Sequence, residues 1–203
     1  MPRALRGFEQ INRYWDKINN IIAAKILPGE LYVTQADEII TTVLGSCISA
    51  CIRDPFAGVG GMNHFMLPIS KDMSLLNDKA SSATRYGNFA MEQLINEILK
   101  NGGQRQNLEV KIFGGGHVLA NMTDVGKRNI DFVVEYIHLE GLKLVAEDVG
   151  DKFPRKVQYN PITGKARMKK LRTMHNKTIV ERENAYLHTI EQSEAVPGDI
   201  ELF

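Results

Sequence analysis

The sequence predicts an α+β fold, layered, with mixed β-sheets packed together and helices on the outside. Three observations carry this. IITTVLGSCISACIR (39–53) is rich in β-branched and small residues, and Asp54-Pro55 and Gly58 then turn the chain into a second such run, VGGMNHFML. RKVQYNPITGKARMKKL (155–171) reads as another hairpin, around Asn160-Pro161 and Gly164. Between the two lie helical patterns, so helices and strands interleave. Strand pairs joined by tight turns argue against a doubly wound parallel sheet.

The elements follow in order. In FEQINRYWDKINNIIAA, Phe8, Ile11, Trp15, Ile18 and Ile22 recur at three- and four-residue steps, which predicts an amphipathic helix over 8–24. Leu27-Pro28-Gly29-Glu30 breaks it, and LYVT (31–34) is a short strand. After the first hairpin, Pro68 ends the return run, and KDMSLLNDKAS (71–81) is polar and reads as a loop. SATRYGNFAMEQLINEILK (82–100) is a helix stopped by Asn101-Gly102-Gly103. LEVKIFGGGH (108–117) is a strand ending in a glycine turn, and Thr123-Asp124 caps a helix over about 125–140. LKLVAEDVG is a strand. Beyond 173 the chain is polar. ERENAYLHTIEQ reads as a loose helix and AVPGDIELF as a disordered or docking peptide. The expected organisation is an N-terminal helical extension (1–27), a central domain (28–172) and a polar C-terminal tail (173–203).

Composition narrows the function. The net charge of +1 gives no global field to attract nucleic acid or a membrane surface. No apolar run approaches the length of a membrane span, and the N-terminus lacks a signal-peptide core. The expectation is a cytoplasmic protein. Two cysteines four positions apart, Cys47 and Cys51, are too few for a disulfide framework and are expected as free thiols.

Cys47 follows Leu44-Gly45-Ser46, so the chain turns just before the sulfur, and backbone N–H groups at a turn can hold a thiolate or an oxyanion. A free cysteine is more often a small buried hydrophobe, so the sulfur alone does not decide. Cys51, inside ISACI, is the better candidate for an inert core thiol. Across the predicted hairpin, His64 would give Cys47 the imidazole that thiol chemistry needs, and a further polar group should fix its tautomer. Thr41 and Thr42 are both near. Strand alternation puts Thr41 on a face with Gly45 and Cys47, although either threonine has a plain role as a strand former. Zinc on Cys47, Cys51 and His64 ranks lower, because the C-x3-C spacing is loose and no nearby fourth ligand completes the set. FGGGH lacks the Lys-Ser/Thr of a phosphate loop, and a tight strand-to-helix turn is its expected role. ARMKKLR (166–172) reads as a solvated hairpin edge.

LGSC, sixteen intervening residues and then His64, set in TTVLGSCISACIRDPFAGVGGMNHFMLP, closely resembles the CheD family of chemoreceptor glutamine deamidases. The likeness continues through YGNFAMEQLINEILKNGG, KIFGGG, VGKRNIDFVVEYI and VAEDVGDKFPRKVQYNPITGKARMKKL, over about residues 30–172. The resemblance implies hydrolysis of selected glutamine side-chain amides on methyl-accepting chemotaxis proteins, giving glutamate and ammonia without a cofactor or metal. It implies Cys47 as nucleophile, His64 as its base and Thr41 as the residue that orients the imidazole. Ser46 and Asn63 flank the pair as weaker candidates for amide or oxyanion binding. The implied fold is that of the cysteine deamidase toxins. The implied partners are chemoreceptors and, for some members, a CheC-type phosphatase. An adaptor that docks such partners with little hydrolysis is the competing reading. Gly150-Asp151 and the end of FGGGH depart from the common family pattern.

Overall fold

The computed structural model of the chain describes residues 2–68, 82–118, 125–172 and 177–193. Six strands come first: β1 (Asn12–Asp16), β2 (Ile21–Lys25), β3 (Leu31–Thr34), β4 (Ile39–Leu44), β5 (Ile48–Asp54) and β6 (Val59–Asn63). They are followed by α1 (Ser82–Lys100), β7 (Glu109–Gly114), α2 (Val125–Leu139) and β8 (Lys143–Val149). The chain closes with β9 (Arg155–Tyr159), β10 (Ala166–Lys170) and α3 (Lys177–Ser193). The strands form two mixed five-stranded sheets, ordered β1-β2-β4-β9-β10 and β3-β6-β5-β7-β8. Only β2/β4 and β7/β8 pair in parallel.

One apolar core joins the sheets. Ala24, Ile40, Leu44, Val157 and Tyr159 of the first face Tyr32, Cys51 and Met62 of the second, while Val33, Ala50, Ile52 and Ile112 lie on the second sheet's other face, toward α1. Helices α1 and α2 cover the second sheet. Helix α1 buries Met91, Leu94, Ile95 and Ile98 on one stripe, each contributing about 1.5–3 kcal/mol of apolar burial. Phe132 of α2 meets Phe65 edge-on at 6.1 Å. The predicted layered α+β architecture is the one observed.

Residues 8–24 do not form the expected helix. DKINN supplies a turn: the Asp16 carboxylate accepts the N–H groups of Ile18 (2.9 Å) and Asn19 (3.1 Å), and Asn20 takes a left-handed φ of 50°. The chain therefore reverses into the β1–β2 hairpin, with Ile11 and Ile22 buried while Trp15 and Ile18 stay exposed. Nor is this hairpin an appendage. β2 pairs with β4, Phe8 packs on Tyr32 at 5.5 Å, and Arg13 meets the buried Glu38 carboxylate at 2.9 Å. The tail is likewise not detached, because α3 buries Ile179, Glu183, Leu187 and Ile190. The expected loop at 71–81, the Thr123-Asp124 cap and AVPGDIELF lie outside the described residues.

Candidate active site

The run read as one strand, 39–53, is two strands in different sheets. β4 ends at Leu44, and the chain crosses to β5 through Gly45-Ser46-Cys47. All three carbonyls of that corner are held. Gly116 N–H donates to Gly45 O at 2.7 Å, Asn129 Nδ2 of α2 to Ser46 O at 2.8 Å, and Gly115 N–H to Cys47 O at 2.8 Å. This explains FGGGH. Gly114 and Gly115 have φ of 118° and 66°, and a Cβ on Gly114 would collide with the Cys47 carbonyl oxygen. The buried Arg155 fixes the glycine turn from behind, donating to Gly114 O and Asp148 O, each at 2.7 Å, and to Gly150 O. With the carbonyls tied, the N–H groups of Gly45, Ser46 and Cys47 converge on one carboxylate, Gly45 and Cys47 on one oxygen and Ser46 on the other, a preorganised anion hole.

His64 arrives from the end of β6. Reciprocal bonds between Ile48 and Phe65, both 2.9 Å, bring the far end of the β5–β6 hairpin back to the corner. The histidine backbone is fixed too, because its N–H donates to Glu30 O at 2.9 Å and its carbonyl accepts Gly29 N–H at 2.8 Å. Thr42 Oγ1 lies 2.8 Å from His64 Nδ1 and donates to Ile26 O at 2.8 Å. A hydroxyl has one proton. Given to Ile26, it leaves the oxygen to accept from Nδ1–H, so the lone pair sits on Nε2. Nε2 is buried and has no hydrogen-bond partner among the described residues. It is the ring nitrogen free for proton transfer.

The occupant of the anion hole is the carboxylate of Glu183, from α3. It accepts from Gly45 N–H (2.8 Å), Ser46 N–H (2.9 Å), Ser46 Oγ (2.7 Å) and Cys47 N–H (3.3 Å). Gly45 makes the room, since a Cβ there would stand 2.7 Å from both carboxylate oxygens. Cys47 Sγ, a His64 ring nitrogen and a Glu183 oxygen lie within 4.8 Å of one another, the one such His/Cys/acid cluster among the described residues. Cys51 is not in it. The donors around the carboxylate favour a negative charge, which suits an oxyanion or a carboxylate better than a cation. All three side chains are buried. Burial, then the Glu183 carboxylate, push the Cys47 thiol well above its usual range. Burial, reinforced by the Arg182 charge, lowers His64 to about 3. With α3 in place, thiol and imidazole are both neutral.

The predicted residues divide. Cys47 and His64 come together, and Ser46 offers N–H and hydroxyl to the hole. Cys51 is buried with its thiol pushed up by burial, as expected of a core residue. The contact expected of Thr41 belongs to Thr42, because Thr41 Oγ1 donates to Val157 O at 2.9 Å. Asn63 is spent on structure. Its Oδ1 accepts Ala50 N–H at 2.8 Å and its Nδ2 donates to Ala90 O at 3.0 Å. Sequence reasoning missed Asn129 and Glu183. Glu183 did leave a signal, as a glutamate inside the apolar stripe Ile179, Leu187, Ile190. The basic run 166–170 is the edge strand β10, alternating half-buried and exposed.

A family model described as CheD chemotactic sensory transduction matches residues 66–170. The chain is 58% identical to the probable chemoreceptor glutamine deamidase CheD of Halorhodospira halophila, over 100% of this chain and 94% of that protein. It is 50% identical to the protein of the same description from Hahella chejuensis, over 100% of this chain and 95% of that one. A third such relative, from Hydrogenovibrio crunogenus, is 50% identical over 93% of this chain and 97% of its own length.

Proposed function

The chain belongs to the CheD family, and from that premise we propose that it is a chemoreceptor glutamine deamidase, converting selected receptor glutamines to glutamate and ammonia with Cys47 as nucleophile. The observation that carries the residue assignment is the convergence of three backbone N–H groups beside Cys47, with His64 Nε2 unengaged.

The chemistry runs in two halves. Nε2 of His64 takes the thiol proton as Sγ attacks the side-chain carbonyl carbon, and the oxygen's new charge falls on the N–H groups of Gly45, Ser46 and Cys47. The imidazolium returns its proton to the departing nitrogen, which leaves as ammonia, and a glutamyl thioester remains. A water gives a proton to Nε2 and attacks the thioester. The C–S bond breaks, glutamate is released and the thiol regains a proton. Thr42 keeps the proton on Nδ1 throughout, so that Nε2 stays the working nitrogen. Asn129 acts at one remove, holding the Ser46 carbonyl and so the direction of the Cys47 N–H.

Chemoreceptors are the substrate partners in this reading, and the place of action is the cytoplasm, where receptor signalling helices lie. No described helix is long and apolar enough to cross a membrane. A CheC-type phosphatase is a second partner that rests on the sequence resemblance alone. The test is mass spectrometry of a chemoreceptor signalling fragment incubated with the protein, wild type beside Cys47→Ala. Glutamine-to-glutamate conversion by wild type alone is expected. No conversion across several receptors overturns the deamidase reading and favours the adaptor.

A further inference from the structure

Helix α3 brings its own glutamate into the site. Ile179, Glu183, Leu187 and Ile190 recur at steps of four, four and three, a single buried face. At the centre of that face an apolar side chain would be the ordinary choice. Here a carboxylate stands there, 2% exposed, and the hydrogen bonds it makes to the described residues all come from the nucleophile's own corner, Gly45 to Cys47. A buried carboxylate that served packing alone would be matched by an arginine or lysine. Glu183 is instead matched by the donors that stabilise the reaction's oxyanion. It lies beside Cys47 Sγ and His64, with which it forms the compact cluster described above.

Chemically, this is a glutamate side chain, carried on a helix, with its carboxylate in the hole and the sulfur next to it. A deamidated receptor helix would look the same in the instant before it leaves. Tyr186, three positions beyond the glutamate, fixes the helix in its seat. The Tyr186 hydroxyl is hydrogen-bonded to that of Tyr86 on α1. Its ring also lies over Gly29, where a Cβ would come within 2.9 Å. Seated this way, α3 leaves Cys47 and His64 0% and 1% exposed, so no external glutamine reaches them.

We propose that α3 is an internal product mimic: it lies in the groove that receives the receptor's target helix, Glu183 fills the subsite of the scissile amide, and a receptor helix must displace it to react. This rests on the deamidase reading. It also describes the substrate. The groove takes a helix whose target glutamine has apolar residues four positions before and after it, as Ile179 and Leu187 flank Glu183. A carboxylate offers the hole two acceptor oxygens where an amide offers one, so the chain's own glutamate is a strong occupant and the resting enzyme is closed.

The test turns the mimic into a substrate. In the full-length Glu183→Gln variant, the introduced side-chain amide is expected to be hydrolysed to a carboxylate, read by peptide mass spectrometry, and to persist in Glu183→Gln/Cys47→Ala. An intact amide at position 183 in a preparation that deamidates a receptor fragment overturns the product mimic and leaves the deamidase standing. No conversion of either overturns the deamidase reading and the mimic with it. A second measurement is independent of turnover: alkylation of Cys47 by iodoacetamide. Glu183→Ala and Leu187→Asp, each checked for cooperative unfolding like wild type, are expected to speed it at least about tenfold, a loss of about 1.4 kcal/mol of closure. Rates equal to wild type in both would show that α3 does not cover the site.

Discussion

The two adjacent threonines of β4 separate family resemblance from geometry, and two isosteric variants decide between them. Thr42→Val removes one hydroxyl and with it two contacts, the 2.8 Å bond to Ile26 O and the 2.8 Å contact with His64 Nδ1. Both stranded groups are buried, and each costs about 1–3 kcal/mol when left unpaired. The stability loss is therefore a few kcal/mol. The kinetic loss has a separate origin. Without an acceptor at Nδ1 the imidazole proton is free to move to Nε2, where it blocks the base, and the ring is free to rotate. Losing a positioned base costs on the order of 10²-fold or more, and it falls on kcat with little change in KM, because Thr42 faces the histidine and not the substrate groove. Thr41→Val loses only the 2.9 Å bond to Val157 O, about 0.5–1.5 kcal/mol, and keeps wild-type turnover. Thr42→Ser, which restores the hydroxyl, should recover most of the rate. The assay is time-resolved mass spectrometry of a receptor fragment, with urea unfolding of the same samples. A Thr41→Val enzyme crippled in kcat beside an active Thr42→Val would refute the geometric assignment and the tautomer argument together.

Other expectations concern the hole and its supports. Gly45→Ala places a methyl 2.7 Å from both oxygens of the Glu183 carboxylate and from Val118 Cγ2, so it should lower deamidation at least tenfold, about 1.4 kcal/mol, and also lower the unfolding midpoint as α3 is pushed from its seat. Arg155→Met strands the carbonyls of Gly114, Asp148 and Gly150 and should cost about 3–5 kcal/mol in urea unfolding, with activity lost in step as the glycine turn loosens. His64 carries the pH dependence. Folded, it titrates at about 3, against an ordinary 6.5, so between those values the unfolded chain holds a proton that the native state does not. Stability from this group is complete above about pH 6.5 and falls as the pH drops towards 3. In denaturant titrations His64→Asn should flatten that limb, and an unchanged limb would contradict the burial of a neutral ring.

Much of this was readable from local chemistry. Turn residues at Asp54-Pro55 and Gly58, the stop at Asn101-Gly102-Gly103 and the apolar periodicity of 82–100 each act over a few neighbours, and the corresponding elements form. The failures share a cause of another kind. Phe8 to Ile22 satisfies helical spacing by coincidence, and the Asp16–Asn20 turn inside it, closed by side-chain to backbone bonds, outranks the stripe. Thr41 is what the family resemblance implies, and the strand argument that agreed with it assumes that side chains alternate without interruption from 41 to 47. The strand ends at Leu44 and the chain changes sheet, so the parity is lost within the corner. Glu183 meets Ser46 across 137 positions. No local rule reaches that far, and only the misfit of a glutamate within an apolar face hinted that it had somewhere to go.

The passage from β4 to β5 has a mechanical meaning. Three residues carry the chain from one layer of the sandwich to the other, and their amide protons are the hole. The spacing of two sheets is thereby converted into the aim of three dipoles, so the corner works as a strain gauge for the whole fold. A cavity opened at Leu44, well inside the core, would let the layers creep by a fraction of an ångström. Turnover would register that creep while every strand remained intact.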